Sequence, residues 1–149
     1  MNDNFNPTKQ DLFLLNWLLL IFILVVAMII IGGITRITDS GLSMVEWRPF
    51  LGFLPPLSNQ EWERVFDLYK NTPEYSFYNK GMLLSEFKFI FFWEYFHRLW
   101  GRIIGIVFII PFTYFIVTKK IDKFITVRLL VILFFGSLQA FIGWWMVKS

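Results

Sequence analysis

Three stretches of this chain are apolar for at least the roughly 20 residues that crossing a bilayer requires. They run from about Leu12 to Ile34, from about Phe89 to Val117 and from about Val127 to Val147. Backbone polar groups in hydrocarbon have to be satisfied within the segment itself, so each run is expected to be a helix. The expected fold class is an all-α integral membrane protein, with residues 1–149 as a single membrane domain of three transmembrane helices. The 149 residues are 56% hydrophobic and 21% aromatic, which suits lipid contact and interfacial anchoring. The absence of cysteine excludes disulfides, thiolate metal sites, iron–sulfur clusters and thioether-linked haem. A net charge of +3, spread over loops without interleaved stacking aromatics, argues against nucleic acid as a partner. The first eleven residues hold one Lys, two Asp and no Arg, which is neither a signal-peptide n-region nor a transit peptide.

Lysine and arginine in short loops set orientation. The connection between the second and third runs carries Lys119, Lys120, Lys123 and Arg128 against Asp122, so it is expected on the cytoplasmic side. The N-terminus then lies inside, and the segment of about 35–88 forms a long extracytoplasmic loop. That loop contains a local helix signal. Ser58 and Glu61 have capping-box spacing, Trp62, Val65, Phe66 and Tyr69 follow at helical intervals, and Asn71-Thr72-Pro73 ends the pattern. Such a helix either lies on the membrane surface or covers the outer mouth of a bundle, or else packs only on its own loop.

The second run opens with Trp93-Glu94-Tyr95-Phe96-His97-Arg98-Leu99-Trp100-Gly101-Arg102. Ionisable groups in or at a membrane are costly and usually mark a site. At about 100° per residue, with Glu94 at zero, His97 falls near −60°, Arg98 near +40°, Gly101 near −20°, Gly105 near +20° and Arg102 near +80°. They share one broad face. With Thr118 at the cytoplasmic end, the outer interface falls near Leu99, and Arg102 lies about one turn deeper.

Each residue has a functional and a plainer reading. His97, the only histidine, is a candidate axial ligand for haem iron or a hydrogen-bonded packing residue. Arg98 and Arg102 match haem propionates in bidentate geometry, or snorkel to lipid phosphate. Glu94 is a candidate general base or stabiliser of developing positive charge, or an ion-pair partner of Arg98. Gly101 and Gly105 open the helix to a flat ligand or to another backbone. In the third run, Gly136, Gln139, Ala140 and Gly143 form a small-residue seam, read as packing.

Long ordered strings carry a resemblance. The run from Gly32-Gly33-Ile34-Thr35-Arg36 through Gly41-Leu42-Ser43-Met44-Val45-Glu46-Trp47-Arg48-Pro49 resembles the first outer loop of haem A synthase. Gly52-Phe53-Leu54-Pro55-Pro56-Leu57-Ser58, Glu86-Phe87-Lys88, the Trp93–Arg102 string and Gly143-Trp144-Trp145-Met146-Val147-Lys148-Ser149 continue it. The lack of a loop cysteine pair is similar to the mitochondrial and proteobacterial branch of that family.

The resemblance implies an eight-helix fold of two four-helix halves that oxidises a ring methyl of haem O to the formyl group of haem A, for cytochrome oxidase. It implies haem b as cofactor, haem O as substrate, Glu94 as the catalytic carboxylate and His97 as the residue facing the haem iron. These 149 residues are then expected to be a fragment of the N-terminal half, carrying part of the substrate-haem site, with activity belonging to the complete fold. Expected partners are membrane lipid, haem O, haem O synthase and electron-transfer proteins, with a homo-oligomer as a further candidate. The expected location is the bacterial cytoplasmic membrane, with the mitochondrial inner membrane as the alternative. Two other readings remain: a haem-binding membrane electron-transfer subunit, in which Glu94 is structural, and a non-catalytic membrane assembly factor.

Overall fold

The structure is a computed structural model that describes residues 8–46 and 54–148. Trp47, Arg48, Pro49, Gly52, Phe53 and Ser149 of the strings above lie outside the described residues. Among the described residues there are helices and no strands: α1 (Lys9–Ile37), α2 (Asn59–Lys70), α3 (Pro73–Phe77), α4 (Leu84–Val117) and α5 (Lys123–Lys148). Of these, α1, α4 and α5 are long and apolar enough to cross a membrane.

The long helices overrun the apolar stretches that announce them, because polar caps lie beyond each stretch. Thr8 and Asp11 close a reciprocal capping box at the start of α1. The Glu86 carboxylate accepts from the Leu83 N–H at 2.7 Å, so α4 starts at Leu84 rather than near Phe89. The Asp122 carboxylate accepts from the Ile125 N–H at 2.7 Å in the first turn of α5. The 34 residues of α4 extend about 51 Å, well past the ~30 Å of a hydrocarbon core.

α1 and α4 run antiparallel, clipped by two tryptophans. The Trp17 indole N–H donates to the Val107 carbonyl at 2.8 Å, and Trp100 donates to the Leu24 carbonyl at 3.0 Å. The first contact has a cause in the sequence. Pro111 lies inside α4 and has no N–H, so the carbonyl four residues earlier, that of Val107, loses its helical partner. Trp17 takes its place.

Two buried clusters hold opposite ends of the pair. Trp17, Phe108, Phe112 and Phe115 gather with Leu129 of α5, flanked by Ile121, Ile125 and Leu133. At the other end, Phe66 and Tyr69 of α2 stack on Phe87, with Ile90 and Phe91 beside them. The helix signal in the loop thus forms a cap packed on the first turns of α4, with Trp62 edge-on to Phe91. Ser58 caps it by accepting from the Glu61 N–H at 3.2 Å, while the Glu61 carboxylate also reaches Arg64. The short α3, with Thr72 as its cap and Pro73 in its first turn, has no counterpart in the sequence reading.

The small-residue seam of α5 is not a packing seam within the described residues. Gln139 and Ala140 are exposed, and a Cβ on Gly136 or Gly143 would meet nothing within 4 Å.

Candidate functional site

The loop that follows α1 folds back over α4 at Glu94. Thr38 caps α1, its hydroxyl donating to the Ile34 carbonyl at 2.8 Å. The chain then turns through Asp39 and Leu42, both in the left-handed region, at φ 47° and 67°. Aspartate tolerates that conformation, but it is costly for leucine, at about 1–2 kcal/mol. The turn buries Ser40 and Ser43 almost completely.

Ser43 and Met44 are thereby delivered to the Glu94 carboxylate. The Ser43 hydroxyl donates to Oε2 at 2.7 Å, and the Met44 N–H donates to the same oxygen at 2.7 Å. Arg98, one turn along α4, donates to Oε1 and also to the Met44 carbonyl, at 3.2 Å for the latter. Glu94 is only 6% exposed, and a buried charge of this kind persists only when paired and hydrogen-bonded. Both of its oxygens are engaged. The ion pair with Arg98 that the spacing allowed is formed, and two loop donors are added to it.

A second ionic clasp lies outside the first. Arg64 of α2 binds Glu46 through both of its terminal nitrogens, at 2.8 and 2.9 Å, and reaches Glu61 at 2.7 Å. These carboxylates raise the arginine's pKa above its already high ordinary value. The clasp is partly exposed, so its main effect is to tie loop to helix rather than to add much stability.

The polar face of α4 divides between two neighbours. Arg98 and Arg102 line a cleft of about 390 Å³ between the loop, α2 and α4, together with Met44, Leu54, Pro56 and Val65. His97 faces the other way, onto α1: a Cβ on Gly32 would stand 3.4 Å from its Nε2. Gly101 also meets α1, where a Cβ would lie 3.5 Å from the Met28 methyl, which is the helix-packing role for that glycine. Gly105 has nothing within 4 Å of its Cβ position and leaves α4 open there. The structure therefore brings Glu94 and Arg98 together and keeps both arginines on one cleft, with His97 apart from it.

The sequence reading missed Ser43, Met44 and Gly32 as partners of these groups. All three lie inside the loop string, but a backbone donor carries no side-chain signal. The strained Leu42 beside them is visible only in three dimensions.

The half-buried His97 imidazole makes no hydrogen bond among the described residues, and the missing side chain at Gly32 lets its Nε2 pack closely against α1. An imidazole nitrogen without a hydrogen-bond partner is chemically a donor to haem iron, but here α1 covers it at Gly32. The described residues contain no cluster of His, Asp and Glu able to hold a bare metal ion.

Comparison with known proteins gives one consistent result. Residues 15–149 match the cytochrome oxidase assembly protein family. Haem A synthase of Nitrosomonas eutropha is 53% identical over 133 residues, 89% of this chain and 37% of that protein. Haem A synthase of Dinoroseobacter shibae is 54% identical over 133 residues, again 89% of this chain and 35% of the relative. A haem A synthase–mitochondrial ferredoxin fusion protein of Schizosaccharomyces pombe is 48% identical over 143 residues, 96% of this chain and 23% of the fusion. No solved structure matches the chain. The chain spans little more than a third of the length of these bacterial relatives. It is a member of the haem A synthase family of cytochrome oxidase assembly proteins.

Proposed function

We propose that this chain forms part of a haem A synthase that oxidises a ring methyl of haem O to the formyl group of haem A. The observation that carries the reading is the buried Glu94 carboxylate, set between loop and helix in a chain whose relatives are named for that product. Glu94 acts at the reacting carbon, accepting a proton or stabilising positive charge as the methyl is oxidised by successive hydroxylation and loss of water. His97, the only histidine, would be the nitrogen that holds the haem iron. The haem iron, once bound, supplies the route by which electrons leave. Arg98 and Arg102, which both line the cleft, are the candidates for haem propionates, Arg98 while also holding Glu94 and the loop. Gly101 and Gly105 allow the close approach of α1 and of a flat ligand respectively.

The complete protein has the eight-helix, two-half architecture, with spans at about 12–34, 89–117 and 127–147 in this portion and the loop of about 35–88 outside. Haem b binds in the half not represented here. Basic residues around the α4–α5 turn support a cytoplasmic N-terminus in a bacterial cytoplasmic membrane. Haem O synthase and an electron acceptor are the expected partners.

The three donors on Glu94 also favour a second reading, in which the carboxylate is a fastener for the loop and takes no part in chemistry. Both are tested by producing the complete protein in cells that make haem O and identifying the extracted haems. Glu94→Gln is expected to abolish haem A while protein and bound haem remain. Normal haem A in that variant assigns Glu94 to the fastener role, and no haem A from the wild type overturns the enzyme reading.

A further inference from the structure

We infer that Ser43 is a positioning residue for Glu94, setting through its hydroxyl the orientation in which the carboxylate meets the substrate. The inference rests on the catalytic role proposed for Glu94 and adds a residue to it. Ser43 is 1% exposed, and its Oγ stands 2.7 Å from Oε2. The Met44 N–H shares that oxygen, and Arg98 holds the other. Three donors from two chain segments therefore fix the carboxylate plane, where a single ion pair would leave it free to rotate.

The loop maintains this contact at a cost. Leu42, immediately before Ser43, sits at φ 67°, a conformation that persists in a bulky residue only where surrounding contacts over-determine it. The strained turn aims both the Ser43 hydroxyl and the next N–H at one oxygen.

A hydroxyl is the fitting group for this position. A backbone N–H and a guanidinium can only donate, so neither can accept the hydrogen bond of a protonated carboxyl. A serine hydroxyl donates to a carboxylate and, turned about its C–O bond, accepts from a carboxylic acid. Ser43 can hold Glu94 in either protonation state, which suits a carboxylate that accepts a proton.

The test compares Ser43→Ala and Ser43→Cys with the wild type in the complete protein, in membranes of cells making haem O. Haem A formed per mole of accumulated protein is read beside the infrared carboxylate band of Glu94, assigned by its loss in Glu94→Gln. Cysteine keeps the volume with only a weak donor. Loss of a hydrogen bond to a charged group predicts a rate lowered by about tenfold to a hundredfold in Ser43→Ala, with Ser43→Cys in between. The Glu94 band is displaced in the same order. If Ser43→Ala fails to accumulate, Ser43→Cys decides alone. A variant that matches the wild-type rate, or one that is slowed with its band unmoved, overturns the inference. A wild type that makes no haem A defeats the enzyme reading instead, and the band then decides whether Ser43 positions the carboxylate.

Discussion

α4 buries Phe87, Ile90, Phe91, Glu94, Phe108, Phe112 and Phe115 along its length, while α5 buries Leu129 near its start and leaves Phe134, Phe135, Leu138, Phe141 and Trp145 exposed. Both are apolar enough to span a membrane, so hydropathy alone does not separate them. What separates them is what each meets. α4 receives α1 along one side, α2 on its first turns and the loop at Glu94, whereas α5 is held by the Trp17 and Phe115 cluster through Ile125, Leu129 and Leu133. An apolar helix in this fold acquires fixed side-chain surroundings only where polar loops or tryptophan bridges bring partners to it. Apolar surface by itself draws in lipid as readily as protein.

That contrast can be broken at four sites of decreasing effect. Glu94→Ala leaves the Arg98 charge, the Ser43 hydroxyl and the Met44 N–H without their acceptor. It is expected to cost about 3–5 kcal/mol in the thermal unfolding of the purified protein. Phe87→Ala removes a fully buried ring from the cap that α2 makes on α4, with an expected cost of about 3 kcal/mol in the same measurement. Tyr69→Phe strands the Asn79 amide, which donates to the phenol oxygen at 2.7 Å, and should cost about 1 kcal/mol. Phe134→Ala, on the exposed face of α5, should change stability by less than about 0.5 kcal/mol. A loss of several kcal/mol there would mean that another element covers α5 in the complete protein.

Tyr69 adds a pH dependence to the cap. Burial pushes its hydroxyl above the ordinary value of 10.0, with the Asn79 hydrogen bond opposing the shift in part. The folded state therefore favours the neutral phenol. Its contribution is complete below pH 10.0 and is lost as pH rises through that value towards the folded pKa. In a tyrosinate absorbance titration compared with Tyr69→Phe, the Tyr69 step should fall above pH 10.0, and a Tyr69 step at that value would show the cap to be open.

Much of this arrangement is legible from local pattern. The three long helices follow from apolar length, α2 from its cap and the spacing of Trp62, Phe66 and Tyr69, and the cluster at Glu94 from the cost of charge in an apolar run. The rotation rule puts His97 and Arg98 on one broad face, which the structure divides, since the roughly 100° between them lets the two meet different neighbours. What stays hidden depends on contacts distant in sequence. Ser43 and Met44 lie 51 and 50 residues before Glu94, and one of the two donors is backbone. Arg64 meets Glu46 across 18 residues through a loop whose course no periodicity encodes. The five-residue α3 is too short for a repeat to declare itself.

The two indole bridges between α1 and α4 limit how this molecule can move. Trp17 and Trp100 each tie one helix's side chain to the other's backbone, at levels well separated along the axes. Sliding or rolling one helix past the other would break both ties and leave the Val107 carbonyl without a donor, since Pro111 cannot supply one. The pair therefore behaves as a single beam. The loop lifting off Glu94 or α5 swinging about its anchored end can admit a ligand as broad as a porphyrin to the cleft, whereas reaching the His97 Nε2 at Gly32 requires these ties to give.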